Sequence, residues 1–192
     1  MPSPYTRELL EFSKDQIELK NMEIRDDLQR RVTSLASALL LPEDDIVEAL
    51  PSGNRILLLA GEFPGATLRK PDGLLEGVPG TKFTSALNIY SDYRIVGVDF
   101  TSKTILPLVN VAATSNPVVF HNCKFSKTAG VGGDYVTILA GAKVIFSCCL
   151  FDGVQTSGTV VNNAGAAPDV GMIGTSNTTG VAHSNVTIVY EI

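Results

Sequence analysis

The sequence predicts a mainly β chain, in which a long N-terminal α-helix within residues 1–50 precedes a short parallel β-helix over residues 51–192, of about five or six coils. Three observations carry that expectation. Charge and glycine divide the chain near residue 50, the first part bears a helical apolar stripe, and the second part repeats itself at offsets of 25 and 26 residues.

The division is one of composition. Residues 1–50 hold 17 of the 35 charged side chains and no glycine, whereas all 17 glycines fall between Gly53 and Gly180. Thr6 to Leu41 contains neither proline nor glycine and is rich in Glu, Lys, Arg, Leu and Gln, the residues that lose least freedom in a helix. One helix of about 36 residues would measure roughly 54 Å at 1.5 Å per residue. Its apolar positions recur at three and four residues: Leu10, Ile17, Ile24, Leu28, Val32 or Arg31, Leu35 and Leu39. A lone helix with one such stripe buries it against its own β domain or against copies of itself in a coiled coil, whose heptads Asn21 and Arg31 interrupt. Pro42-Glu43-Asp44-Asp45 ends the helix and Pro51-Ser52-Gly53 is the linker.

Beyond residue 53 short apolar and β-branched runs alternate with Gly, Asn, Asp and Ser, and the helical period disappears. Ile95-Val96-Gly97-Val98-Asp99-Phe100 superposes without gaps on Phe120-His121-Asn122-Cys123-Lys124-Phe125 and on Phe146-Ser147-Cys148-Cys149-Leu150-Phe151. Self-similarity at that period marks a solenoid, whose coils bury together the apolar face that none buries alone. The equivalences predict three interior columns: Phe100, Phe125 and Phe151; Val98, Cys123 and Cys149; Ile95, Phe120 and Phe146. Asp99 and Lys124 fall between columns, facing solvent. A second apolar strand precedes each segment, at Leu87 to Tyr90, Ile105 to Val111 and Tyr135 to Leu139, with another at Thr159 to Val161; a third strand per coil is expected. Val170-Gly171-Met172-Ile173 adds a coil and Val186-Thr187-Ile188-Val189-Tyr190 closes the chain.

The opening of this half, Arg55-Ile56-Leu57-Leu58-Leu59-Ala60-Gly61-Glu62-Phe63-Pro64-Gly65 followed by Leu74-Leu75-Glu76-Gly77, resembles the first coils of the pectate-lyase-like parallel β-helix family. That superfamily opens with an apolar strand, an Ala-Gly-x-aromatic turn and a later apolar-x-Gly strand. The resemblance covers about residues 55–192 and implies a right-handed coil with three short parallel sheets. It is a pattern of fold, not of catalytic motifs.

The net charge of −5, with nine scattered Lys and Arg after residue 50, excludes the basic patch that nucleic acid requires. No basic, apolar leader and no membrane-length apolar segment is visible, so a cytoplasmic origin is expected. Three cysteines do not make a disulfide framework; Cys123 and Cys149 are expected as small buried hydrophobes and Cys148 faces the other way, which excludes a three-cysteine metal site. His121 and His183 lack an accompanying acid or nucleophile motif and are read as structural. No phosphate-binding glycine loop or nucleophile elbow appears, and no cofactor is expected. For a glycan-cleaving site the candidates are Glu76, Asp92 and Asp99, with Arg94 as cationic companion, since such chemistry needs either acidic calcium ligands with a basic Lys or Arg, or paired carboxylates about 5–10 Å apart. Acids at coil turns serve more often as solvated or backbone-bonded groups.

A helix joined to a short β-helix resembles the architecture of phage spikes, head fibres and capsid decoration proteins. The resemblance implies a non-enzymatic homotrimer on a virion assembled in the host cytoplasm, meeting major capsid or tail proteins through the N-terminal stripe. A glycan-binding or glycan-degrading spike is the alternative, with a host-surface glycan as partner.

Overall fold

The computed structural model describes residues 38–42, 55–69, 71–104, 106–112, 114–128, 130–154, 157–166 and 169–191, all within one compact unit, Ala38–Ile192. The expected helix as far as Ser37, its stripe residues Leu10, Ile17, Ile24, Leu28 and Leu35, and the linker at Pro51-Ser52-Gly53 lie outside the described residues. Where that helix was expected to continue, Ala38–Leu40 is instead a strand, β1. The stripe residue Leu39 therefore sits in a sheet, level with Leu57 on the neighbouring strand. Ala38-Leu39-Leu40 is a short apolar run, which periodicity alone cannot divide between helix and strand, and parallel pairing with residues 56–58 decides it.

Five successive triplets of strands follow: β2 (Arg55–Leu58), β3 (Gly61–Phe63) and β4 (Thr67–Leu68); β5 (Gly73–Gly77), β6 (Thr81–Phe83) and β7 (Leu87–Ile89); β8 (Tyr93–Val96), β9 (Asp99–Ser102) and β10 (Val109–Val111); β11 (Val118–His121), β12 (Lys124–Lys127) and β13 (Val136–Ile138); β14 (Val144–Ser147), β15 (Leu150–Asp152) and β16 (Val161–Asn163). From β2 to β14 the chain makes about four revolutions. The long β17 (Val170–Asn177) and β18 (Thr187–Glu191) end it.

Every pairing among these strands is parallel, and like strands of successive triplets pair with one another. The first strands form face A, the second face B and the third face C, and β17 contributes to both A and B. This is a parallel β-solenoid, and its third strand per coil is present as expected.

Each segment read as one strand is in fact two, meeting at a corner. Ile95 and Val98 both point inward although they lie three positions apart, an odd offset that strict alternation forbids. Gly97, with a φ of 66°, supplies the break; Asn122 (51°) and Cys148 (53°) occupy the same place one and two coils on. In this left-handed region glycine is free of strain and asparagine tolerates it.

The interior columns form as the repeat predicts. The rings of Phe100 and Phe125 stack at 4.9 Å and those of Phe125 and Phe151 at 4.8 Å, reproducing the parallel strand spacing of about 4.8 Å. The column also extends backwards through Phe83 and Phe63. Phe120 and Phe146 stack at 5.2 Å on face A and present their edges to Phe125 at 5.5 and 5.8 Å, so two ladders interlock. Val98, Cys123 and Cys149 are buried at 0, 2 and 2% exposure. Burying each ring contributes about 2–3 kcal/mol, and each good aromatic pair adds about 1 kcal/mol.

Polar side chains end the columns of faces B and C, while that of face A runs on to Met172. In register with Phe151 stands Asn177, and in register with Ile138 stands the buried Asn163. Asn177 Nδ2 donates to Val181 O at 2.9 Å and Asn163 Nδ2 to Asn185 O at 2.7 Å, tying down the closing loop.

Candidate functional site

With the inward positions of the described coils consumed by the core, their chemistry resides on the three outer faces and the turns between them. Face B is charged. Glu62, Lys82, Asp99 and Lys124 stand at one outward position on four successive strands, alternating in sign. Opposite charges directly across parallel neighbours stabilise the register. Lys124 Nζ also lies 2.9 Å from Asp152 Oδ2; that bond raises the lysine above its ordinary value and holds the carboxyl below its own.

Face C is polar and uncharged along its middle, because Asn88, Asn110, Thr137 and Asn162 take the outward position of β7, β10, β13 and β16. Asn110 Nδ2 donates to Asn88 Oδ1 at 2.9 Å, and Asn162 Nδ2 to Asp134 Oδ2 at 2.8 Å. Burial alone would raise the Asp134 carboxyl, but hydrogen bonds from Asn162 and Thr159 and the Lys127 charge bring it below its ordinary value. Nearby, Lys127 is buried, donating from Nζ to Gly132 O at 3.2 Å, and desolvation lowers its pKa. Tyr135 donates its hydroxyl to Asp152 O at 2.8 Å. These groups knit the loop between β12 and β13 to the next coil.

Face A differs from both. Its outward positions carry Leu57, Leu74, Val96, Val119 and Ile145, half-buried, and Ile173, which is 47% exposed, interspersed with Arg55, Glu76, Arg94, His121 and Ser147. At Gly171, in register with Ile145, an added Cβ would meet nothing within 4 Å. A depression of about 520 Å³ opens there, lined by Pro117, Lys143, Ile145 and Ile173 among others.

The structure does not gather the three candidate carboxylates. Glu76 projects from face A and accepts from Arg55 Nε at 2.8 Å in an ion pair. Asp92 lies just before β8 and accepts from Asn116 Nδ2 at 2.8 Å. Because Glu76 is level with Val96, Asp92 stands four residues away along the strand direction, roughly 13 Å. Asp99 is beyond the corner on face B, between Lys82 and Lys124. Arg94 is exposed on β8, beside Asp92 in a shallow depression of about 390 Å³ whose one aromatic, Tyr93, is buried.

Both buried thiols bond to backbone carbonyls, Cys123 Sγ to Ile95 O at 3.5 Å and Cys149 Sγ to Phe120 O at 3.5 Å, while Cys148 is exposed. His121 Nδ1 lies 3.2 Å from Ser147 Oγ. His183 packs edge-on against Phe151 at 5.5 Å, and burial lowers its pKa to about 4. Among the described residues no three His, Cys, Asp or Glu converge as metal ligands would.

Sequence reasoning passed over the outer residues of face C, chiefly Tyr90, whose ring is 46% exposed with the Arg69 guanidinium 4.2 Å from its centroid. A signal was present, since an amide or hydroxyl between two buried positions recurs in Leu87-Asn88-Ile89, Val109-Asn110-Val111 and Val136-Thr137-Ile138. Comparison with protein-family models, curated proteins and solved structures returned no match to this chain.

Proposed function

We propose that this chain is a non-enzymatic structural protein of a phage virion, a capsid decoration, head-fibre or spike subunit, assembled in the host cytoplasm. In this reading it is a homotrimer. The N-terminal region meets capsid or tail proteins, and the β-helix, wound right-handed as parallel crossovers favour, projects as a rigid knob.

The observation that carries the reading is the chemical inequality of the three faces. Faces B and C present mainly charges and amides, while face A presents six outward aliphatic side chains, interspersed with Arg55, Glu76, Arg94, His121 and Ser147, and a notch at Gly171. Outward-facing apolar side chains in a parallel sheet are usual where a second layer covers them. Packing between copies supplies that layer, with a side chain of one copy seated in the notch of another. The positions of Glu76, Asp92 and Asp99 support a non-catalytic role, because each is engaged with a neighbour and they occupy different faces or ends.

Solution mass tests it. The full chain at micromolar concentration is expected to run at three times its monomer mass, and Val119→Glu or Gly171→Glu to release monomers with an unchanged circular dichroism spectrum. A monomeric wild type, or a trimer indifferent to both substitutions, overturns the face A assignment. A reconstruction of a particle carrying this chain would locate it on capsid or tail; its absence from purified particles overturns the virion assignment.

A further inference from the structure

Face C holds an arrangement that a stabilising role does not account for. Backbone hydrogen bonds continue the ladder one residue past the strands: Tyr90 N donates to Leu68 O at 2.8 Å, Ala112 N to Ile89 O at 2.8 Å and Leu139 N to Val111 O at 2.9 Å. Arg69, Tyr90, Ala112 and Leu139 are therefore successive rungs on one outward column. The Arg69 guanidinium covers one face of the Tyr90 ring, 4.2 Å from its centroid, and on the side of Tyr90 away from Arg69 the next rung is Ala112. There the side chain shrinks to a methyl, and the next rung, Leu139, is 52% exposed.

From this register we infer a slot with Tyr90 as its aromatic wall, Leu139 as its aliphatic wall and Ala112 as its floor. Its walls rise from strands two spacings apart, roughly 9.6 Å. Two carbon contacts of about 3.5–4.0 Å and one puckered ring between them fill that width. Two residues upstream of the floor and of the aromatic wall lie Asn110 and Asn88, roughly 6.6 Å along the strands. Their mutual bond leaves Asn110 Oδ1 to accept and Asn88 Nδ2 to donate.

We propose that this slot binds one pyranose unit of a neutral glycan, with the apolar face of the sugar on Tyr90 and its hydroxyls on the amides of Asn88 and Asn110. A pyranose combines the two properties that the slot demands, a flat C–H face and a girdle of hydroxyls. The base of a nucleotide would also stack, but among the described residues of the slot its phosphate would meet Arg69 alone, on a chain of net charge −5. The Arg69 stack fixes the Tyr90 ring before any ligand arrives, which lowers the entropic cost of binding. The slot lies away from face A, so it does not depend on the trimer.

Saturation-transfer NMR on the full chain, with maltohexaose, cellohexaose and chitohexaose as probes and oligogalacturonate as acidic comparison, tests the assignment. At least one neutral probe is expected to receive saturation at its ring protons. Tyr90→Ala, which removes the platform, and Ala112→Leu, which fills the floor, weaken that binding by about tenfold or more, Asn110→Ala weakens it several-fold, and Tyr90→Phe retains it. Silence from all three neutral probes, or binding that survives both Tyr90→Ala and Ala112→Leu, overturns the proposal. Preference for oligogalacturonate overturns the neutral class of ligand.

Discussion

Removing the ring of Phe125 is the most exacting test of the solenoid's energetics. Phe125 is fully buried, stacked at 4.9 Å on Phe100 and 4.8 Å on Phe151, and edge-on to Phe120 and Phe146. Phe→Ala in a core costs about 3–5 kcal/mol, more where the surroundings cannot close the void. Closure is opposed here, because hydrogen-bonded ladders pin the strands above and below. Phe125→Ala is therefore expected to lose about 4–5 kcal/mol. Phe63, at the end of the ladder, has one ring contact in it, a tilted one with Phe83 at 5.8 Å, so Phe63→Ala is expected to cost about 3 kcal/mol. Urea unfolding followed by far-ultraviolet circular dichroism measures both, with coincidence against a second probe, since solenoids can unfold in parts. A loss below about 2 kcal/mol for Phe125→Ala, or equal losses at the two sites, refutes the interlocked-ladder account.

Three further perturbations follow from particular residues. Cys148 holds a φ of 53° where its counterpart Gly97 is unstrained; Cys148→Gly is expected to gain about 0.5–1 kcal/mol after the entropy lost to glycine, read as a higher melting temperature, and a lower one contradicts the corner. His183 titrates near 4 folded and near 6.5 unfolded, and its Nδ1 has no hydrogen-bond partner among the described residues. The unfolded chain therefore binds a proton that the native one refuses: this stability is complete above pH 6.5 and lost as pH falls toward 4. With partial exposure discounted the loss is about 1–3 kcal/mol, and it should vanish from the melting profile of His183→Leu. Lys124 and Asp152 remain 40% and 43% exposed, so a double-mutant cycle should give a coupling under about 1 kcal/mol that fades in molar salt; a larger, salt-resistant value contradicts a solvated pair.

The sequence carried the stack itself: the offsets of 25 and 26 residues are long enough to repeat both a strand pair and its corner, so Phe100, Phe125 and Phe151 align without gaps. Phe63 and Phe83 escaped because the earlier coils are shorter, with offsets of 20 and 17 residues up to Phe100. Turns between faces absorb such differences at little energetic cost, which erases the period while leaving the ladder intact. The corner was legible in the parity of the apolar residues, since Ile95 and Val98 cannot both face inward on one strand. Face A was written as unbroken apolar runs, Val118-Val119-Phe120 and Val144-Ile145-Phe146, the pattern of strands covered on both sides. The face C slot was not legible, because it depends on which residues fall on the same rung, and only the register aligns Tyr90 with Ala112 and Leu139.

The asparagines that end the columns also bear on how copies of this chain can meet. Asn163 and Asn177 spend their amides on the closing loop, so where the columns of faces B and C end, a polar side chain stands in place of an apolar landing for the first coil of another molecule. Head-to-tail stacking, which would propagate into a filament without limit, is thereby discouraged. A lateral arrangement such as the proposed trimer would instead close by rotational symmetry at a finite size.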